Sequence, residues 1–270
     1  MSWADAGLQT LMLKLEGGLA IITLNRPDRM NTLTEVMAGE ISETMDRLHS
    51  DDGVRAVLLR ATGRAFCAGM DMGSREFGAS SPGDMAFITK NTVAKLNKAY
   101  LSMLGMEKPL VCAVNGVAAG GGLSMVMCSD IVVASESATF CTVAVRRGLF
   151  PDVGMNYLLP RIVGLLRAKE LLFTADMIDA EEARRIGLVN KVTAPEKLDV
   201  EALTIAKRLA EGPTRAIGLS KTAVHRGLTM DVATALQLES WGQGLCMQTD
   251  DVIEGITAFV EKRRPNFKGR

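Results

Sequence analysis

The segment PLVCAVNGVAAGGGLSMVMCSDIVVAS, residues 109–135, decides how the chain folds. After Pro109 comes a buried strand over 110–115, apolar up to Val114, of the kind covered on both faces. Gly116, Gly120, Gly121 and Gly122 follow, then a short helical stretch, then a second strand over 130–134. Residues 110–134 are apolar enough to raise the possibility of a membrane span. Asn115, the four glycines and Asp130 interrupt them, and a strand–loop–helix–strand unit accounts for the pattern better.

The same alternation continues on both sides. Short β-type runs over 11–15 and 19–24 flank Glu16-Gly17-Gly18, a hairpin signal. Thr32-x-x-Glu35 reads as a capping box opening a helix to about Leu48. Residues 54–60 (VRAVLLR) read as a buried strand. A loop with Gly63, Gly69 and Gly73 follows, then a turn over 78–83 (GASSPG) and a helix over about 84–104. Asp179-x-x-Glu182 caps another helix, 188–192 is a strand, and the chain is mostly helical from Pro195. Alternating strands and helices with a helical tail predict an α/β fold.

Composition excludes several function classes. Charged residues are 23% of the 270, with 31 Lys+Arg against 31 Asp+Glu, so no basic excess points to nucleic acid or an anionic membrane. The N-terminal stretch MSWADAGLQTLMLKLEGG has no basic region leading into an apolar one and does not read as a signal peptide; a cytoplasmic protein is expected. Five scattered cysteines, Cys67, Cys112, Cys128, Cys141 and Cys246, form no CxxC and read as reduced thiols. The two histidines, His49 and His225, stand apart, which argues against a zinc site or a His-based triad.

Two segments share one physical design. Ala65-Phe66-Cys67-Ala68-Gly69-Met70-Asp71 and Asn115-Gly116-Val117-Ala118-Ala119-Gly120-Gly121-Gly122 each follow a strand with small residues around glycine. Glycine lets a ligand approach the backbone, and the start of a helix leaves N–H groups unpaired. Two such amides aimed at one oxygen make an oxyanion hole, each donor supplying about 3 kcal/mol. The plainer alternative is a pair of tight turns. Neither segment carries the Gly-Lys-Ser/Thr of a P-loop or the GxGxxG of a dinucleotide site.

Five motifs in order make the chain resemble the crotonase superfamily, the enoyl-CoA hydratase/isomerase family. They are Asn25-Arg26-Pro27 with Asn31, GRAFCAGMDM, VNGVAAGGGLSMVMCSDIVVAS, GLFPDVGMNYLLPRIVG with AEEARRIGLVNKV, and the terminal FVEKRRPNFKGR. The resemblance implies a crotonase-like spiral of ββα units over residues 1–200 and a C-terminal helical trimerisation region over 201–270. It implies that the amides of Met70 and Gly121 bind a thioester oxygen. It further implies that Ala68 and Asp71 help hold CoA, with Phe259 and Lys262 in matching tail positions. Lys262 then meets a CoA phosphate, or is a solvated helix charge. The implied assembly is a homotrimer or dimer of trimers, and the implied partner is an acyl-CoA thioester. No metal or redox cofactor is needed, because CoA is part of the substrate.

The resemblance also sharpens the question of the proton. Family hydratases use two glutamates, and the matching positions here are Ser124 and Ala144. Asp152, in the turn Leu149-Phe150-Pro151-Asp152, matches the catalytic aspartate of some family isomerases, including the phenylacetate-pathway type. Dienoyl-CoA isomerases and 3-hydroxyisobutyryl-CoA hydrolases have such an aspartate too, with partner carboxylates that this sequence lacks. Asp152 is alternatively an ordinary N-cap for a helix starting near Val153. Ser124, Cys67 and Cys141 read as packing residues, and Met70, Met72, Met103 and Met125 as adaptable core filling, with the lining of an acyl pocket as the alternative for some of them. Three functions stand: Δ3→Δ2 enoyl-CoA isomerisation, hydration or thioester hydrolysis on the same scaffold, and non-catalytic acyl-CoA binding.

Overall fold

The computed structural model describes residues 7–74 and 82–270. Of the turn expected at 78–83, residues 78–81 lie outside these, and 82 and 83 belong to a helix. Strands β1 (Leu11–Glu16) and β2 (Leu19–Leu24) form the antiparallel hairpin expected from Glu16-Gly17-Gly18. Helix α1 (Glu35–Ser50) follows. Its N-cap is Thr34, whose hydroxyl accepts from the Met37 N–H; Thr32 does not cap it. The Thr32 hydroxyl instead donates to the Asp71 carboxylate at 3.2 Å, so a tertiary contact displaces the local capping box.

The chain then winds through repeated strand pairs. These are β3 (Ala56–Ala61) with β4 (Ala65–Cys67), β5 (Leu110–Val114) with β6 (Val117–Ala119), and β7 (Ile131–Ser135) with β8 (Thr139–Cys141). Each pair sends its first strand to one sheet and its second to another. The larger sheet has the order β1-β2-β3-β5-β7-β10, and the smaller β4-β6-β8-β9, where β9 is Ile178–Asp179 and β10 is Lys191–Thr193. Neighbours from β2 to β10 in the large sheet, and from β4 to β8 in the small one, are parallel. Helix α2 (Pro82–Gly105) connects the first pair to the second, and α3 (Gly121–Met127) the second to the third. This is the α/β fold that the sequence pattern predicts, in the spiral of ββα turns that the family resemblance implies.

Two apolar cores hold the spiral. One packs α1, α2 and α3 on one face of the large sheet, with Phe66 and Phe140 fully buried in it. The other lies on the opposite face, where Ala202, Ala206 and Ala210 of α7 (Leu198–Ala210) meet Leu19, Leu58 and Val111. Both faces are covered, which is why the parallel strands read as unbroken apolar runs. Beyond α4 (Met155–Val163), α5 (Leu165–Thr174) and α6 (Ala180–Arg185), the C-terminal helices are α8 (Thr214–Gly227), α9 (Val232–Cys246) and α10 (Asp250–Val260). The tail is pinned back: Asp251 accepts from the Gly269 N–H at 2.8 Å, and Arg55 donates to the Phe267 carbonyl at 3.1 Å.

Gly122 fixes how closely α3 packs on β4. A Cβ there would lie 2.2 Å from the Cys67 carbonyl oxygen. Gly39, on the exposed side of α1, faces open space. Gly122→Ala is therefore expected to destabilise the protein by about 1–3 kcal/mol. Gly39→Ala should stabilise it by about 0.5–1 kcal/mol through helix propensity. Thermal or urea unfolding of both variants checks the contrast.

Candidate active site

The parallel strands of the small sheet release three loops at their C-terminal ends. Ala68-Gly69-Met70 leaves β4, Gly120-Gly121 leaves β6, and Thr142-Val143-Ala144 leaves β8. Because β4 pairs with β6 and β6 with β8, these loops are neighbours. The first two touch: a Cβ on Gly120 would sit 3.8 Å from the Gly69 Cα, and one on Gly69 would sit 3.1 Å from the Ala119 carbonyl oxygen. Gly69 also has φ +100°, where an L side chain is strained.

Backbone bonds orient both segments. The Leu33 N–H donates to Gly69 O at 2.8 Å and the Asp71 N–H to Leu33 O at 2.9 Å, a parallel bridge that leaves the Met70 N–H on the side away from Leu33. The Gly120 N–H donates to Cys141 O and the Ser124 N–H to Gly120 O, both at 3.0 Å. The Met70 and Gly121 amides take no part in these bonds, and both residues line one cavity of about 500 Å3.

Asp152 enters the same cavity from the turn before α4. It does not cap that helix: the N-cap is Gly154 and the first helical residue is Met155. The Asp152 carbonyl instead accepts from the Met155 N–H at 3.0 Å. The next residue, Val153, is buried at φ +46°, and Val143 on the facing loop has φ +52°. A β-branched residue is rarely found there, so packing must hold both. Among the described residues that line the cavity, Asp152 is the single acidic one. Its wall is otherwise largely apolar, with Met70, Met72, Val93, Leu149, Phe150 and Met155.

The first loop is braced from below. Arg26 donates to the Asp71 carboxylate at 3.0 Å, with Thr32 on the same oxygen. The Arg26 hydrogen bond is the main cause holding the Asp71 carboxyl below its ordinary range. Buried Asn31 bridges the Thr62 and Ala65 carbonyls at 2.8 and 2.9 Å. The Ala68 N–H donates to Met30 O at 3.0 Å. Burial raises the Cys67 thiol to about 12 and also raises Cys112, so both are inert packing groups.

The comparisons with known proteins agree over nearly the whole length. The family model described as enoyl-CoA hydratase/isomerase matches residues 14–270. The chain belongs to the enoyl-CoA hydratase/isomerase family. It is 38% identical to a crotonyl-CoA hydratase of Syntrophomonas wolfei, over 96% of this chain and 98% of that one. It is 35% identical to a 1,2-epoxyphenylacetyl-CoA isomerase of Escherichia coli, over 97% and 100%. Among solved structures, an enoyl-CoA hydratase from Bacillus anthracis superposes with a TM-score of 0.90 at 30% identity, covering 97% of this chain and 100% of that one.

The remaining positions singled out by the family resemblance divide. Ala144 lines the cavity, whereas Ser124 is wholly buried in α3, its hydroxyl without a hydrogen-bond partner among the described residues. Phe259 is 83% exposed and Lys262 is exposed at φ +55°, and neither lines this cavity. Met103 and Met125 are core residues, but Met70 and Met72 line the site. Among the described residues no group of three His, Cys, Asp or Glu is placed to hold a metal ion, and no helix is long and apolar enough to cross a membrane.

Sequence reasoning missed the α2 face that forms one wall of the cavity, with Val93, Ala94 and Asn97. It also missed Tyr100, one turn further on, whose buried hydroxyl donates to Gly121 O at 2.9 Å. Burial holds this phenol well above its ordinary value, with Cys67, Cys128 and then Asp152 adding to the push. The spacing of Val93, Asn97 and Tyr100 was the available signal.

The Asp71 brace has a defined pH dependence. Its folded pKa is depressed, so its contribution is complete above the unfolded value near ~3.9 and disappears as pH falls through the folded value. Asp71→Asn is expected to cost about 1–2 kcal/mol at pH 7. The gap between the variant and the parent should narrow as pH falls below the unfolded value. Urea titrations from pH 7 to pH 2.5 measure this.

Proposed function

We propose that the protein is a Δ3→Δ2 enoyl-CoA isomerase working through a thioester enolate. The observation that carries this reading is Asp152, the single acidic side chain among the described residues lining a cavity that Met70 and Gly121 also line. In the proposed cycle the thioester oxygen lies between the Met70 and Gly121 N–H groups. Asp152 takes the proton from C2 of a 3-enoyl-CoA, and the C–H electron pair moves into a dienolate whose charge rests on the thioester oxygen. Two amides at about 3 kcal/mol each lower that barrier substantially. When the carbonyl reforms, the double bond moves to C2–C3 and Asp152 returns its proton to C4. The carboxylate ends as it began, so one such group suffices.

Hydration is the second reading, because a relative 38% identical is a crotonyl-CoA hydratase. Water addition needs a group that activates water and one that delivers a proton. Ser124 and Ala144 supply neither where family hydratases carry glutamates, which favours isomerisation. The isomerase relative is named for an epoxyphenylacetyl-CoA, so a ring-bearing acyl group is an alternative substrate for the same proton shuttle.

The proposed functional unit is a homotrimer or dimer of trimers. No side chain of α9 is buried within the chain, and α10 exposes Ile253, Ile256 and Phe259. In that assembly Phe259 and Lys262 reach the CoA of a neighbouring subunit, while Ala68 and Asp71 hold the CoA of their own.

Incubation with a 3-enoyl-CoA should give a product of unchanged mass, and crotonyl-CoA should gain no water. Asp152→Asn should lower turnover by at least about 10²-fold while leaving CoA-ester affinity within a few-fold. Retained isomerisation in that variant would refute the role. Sedimentation of the same preparation should give a trimer or hexamer; a monomer would remove the neighbour's contribution.

A further inference from the structure

The Gly121 amide sits in a run of three glycines, the residues with the widest backbone freedom. An amide that stabilises an oxyanion must be held in place before the charge appears. Four restraints act on this run. Gly120 is tied to Cys141, Ser124 to Gly120, and Gly122 is wedged against the Cys67 carbonyl. The fourth is Tyr100, whose hydroxyl donates to the Gly121 carbonyl at 2.9 Å.

The Tyr100 bond differs from the others because it ties this run to another helix: the Ser124 bond holds the Gly120–Gly121 peptide that carries the Gly121 N–H, and the Tyr100 bond holds the next peptide, Gly121–Gly122. It arrives from α2, whose residues Val93 and Asn97 wall the cavity. Tyr100 is only 4% exposed, and water does not compete for the bond. The contact is tight: a Cβ on Gly121 would meet the Tyr100 oxygen at 2.7 Å. The phenol oxygen thus fills the space beside the Gly121 Cα, the atom that joins the two peptides.

Resting on the enolate reading above, we infer that Tyr100 is a positioning residue for the oxyanion, its hydroxyl fixing the Gly121–Gly122 peptide and, through the shared Gly121 Cα, the Gly120–Gly121 peptide whose N–H is aimed at the thioester oxygen. Tyr100 does not touch the substrate; it acts through Gly121. Removing the hydroxyl should therefore weaken polarisation of the thioester without weakening binding.

The test uses the full-length protein with butyryl-CoA carrying 13C at the thioester carbon, read by isotope-edited infrared difference spectroscopy. In the parent protein the bound carbonyl stretch should lie below that of free butyryl-CoA. In Tyr100→Phe it should move back towards the free value, with butyryl-CoA affinity changed less than about twofold. Turnover of a 3-enoyl-CoA should fall about 3- to 10-fold in kcat with little change in KM. Incorporating 3-fluorotyrosine in a Tyr157→Phe background leaves position 100 as the one labelled site, since the chain has two tyrosines. The fluorophenol is a stronger donor and should move the stretch the other way. A lower melting temperature in Tyr100→Phe with the parent stretch retained would make the hydroxyl structural and overturn the inference. No shift on binding to the parent protein would overturn the enolate reading as well, which separates the two failures.

Discussion

The pairing of β4 with β6 places two loops in van der Waals contact, and the rest of the site depends on how close they come. A Cβ on Gly69 would crowd the Ala119 carbonyl at 3.1 Å, and the approach of Gly122 to Cys67 sets the depth of α3 against the sheet. Around this contact the protein spends conformational strain. Val143 and Val153 hold left-handed backbone on either side of the cavity, a cost of order 1–3 kcal/mol each. The two cores on the faces of the large sheet make that strain tolerable.

Such a frame specifies an intermediate before it specifies a reaction. Paired amides favour any chemistry that puts negative charge on a thioester oxygen. What distinguishes one reaction from another is the set of groups that handle protons. Here, among the described residues, the set of acidic groups is narrow: Asp152 stands in a largely apolar wall, and Ser124 and Ala144 occupy the positions where the family resemblance implies the glutamates of hydratases. One carboxylate that accepts and returns the same proton matches isomerisation with no further group.

Much of this was legible in the sequence because the relevant signals are local. Glu16-Gly17-Gly18 marks a hairpin, Asp179 caps α6 as its spacing indicates, and the glycine segments mark where the backbone must approach something closely. The misreadings arise where distant residues compete with local ones. Thr32 and Glu35 have capping-box spacing, yet the Asp71 carboxylate draws the Thr32 hydroxyl away and Thr34 caps instead. Helix α4 starts two residues later than expected because Val153 and Gly154 take left-handed backbone. Tyr100 was invisible as a functional residue, since one buried aromatic on an amphipathic helix looks like any other until its hydroxyl is seen on Gly121.

The central claim is that the Met70 and Gly121 amides share one oxygen of the substrate. A crystal structure with a non-reactive acyl-CoA thioester bound measures this most directly. The account predicts the thioester oxygen within about 3.1 Å of both nitrogens, with C2 facing Asp152. An ester bound in the same cavity with its oxygen turned away from either amide would contradict it.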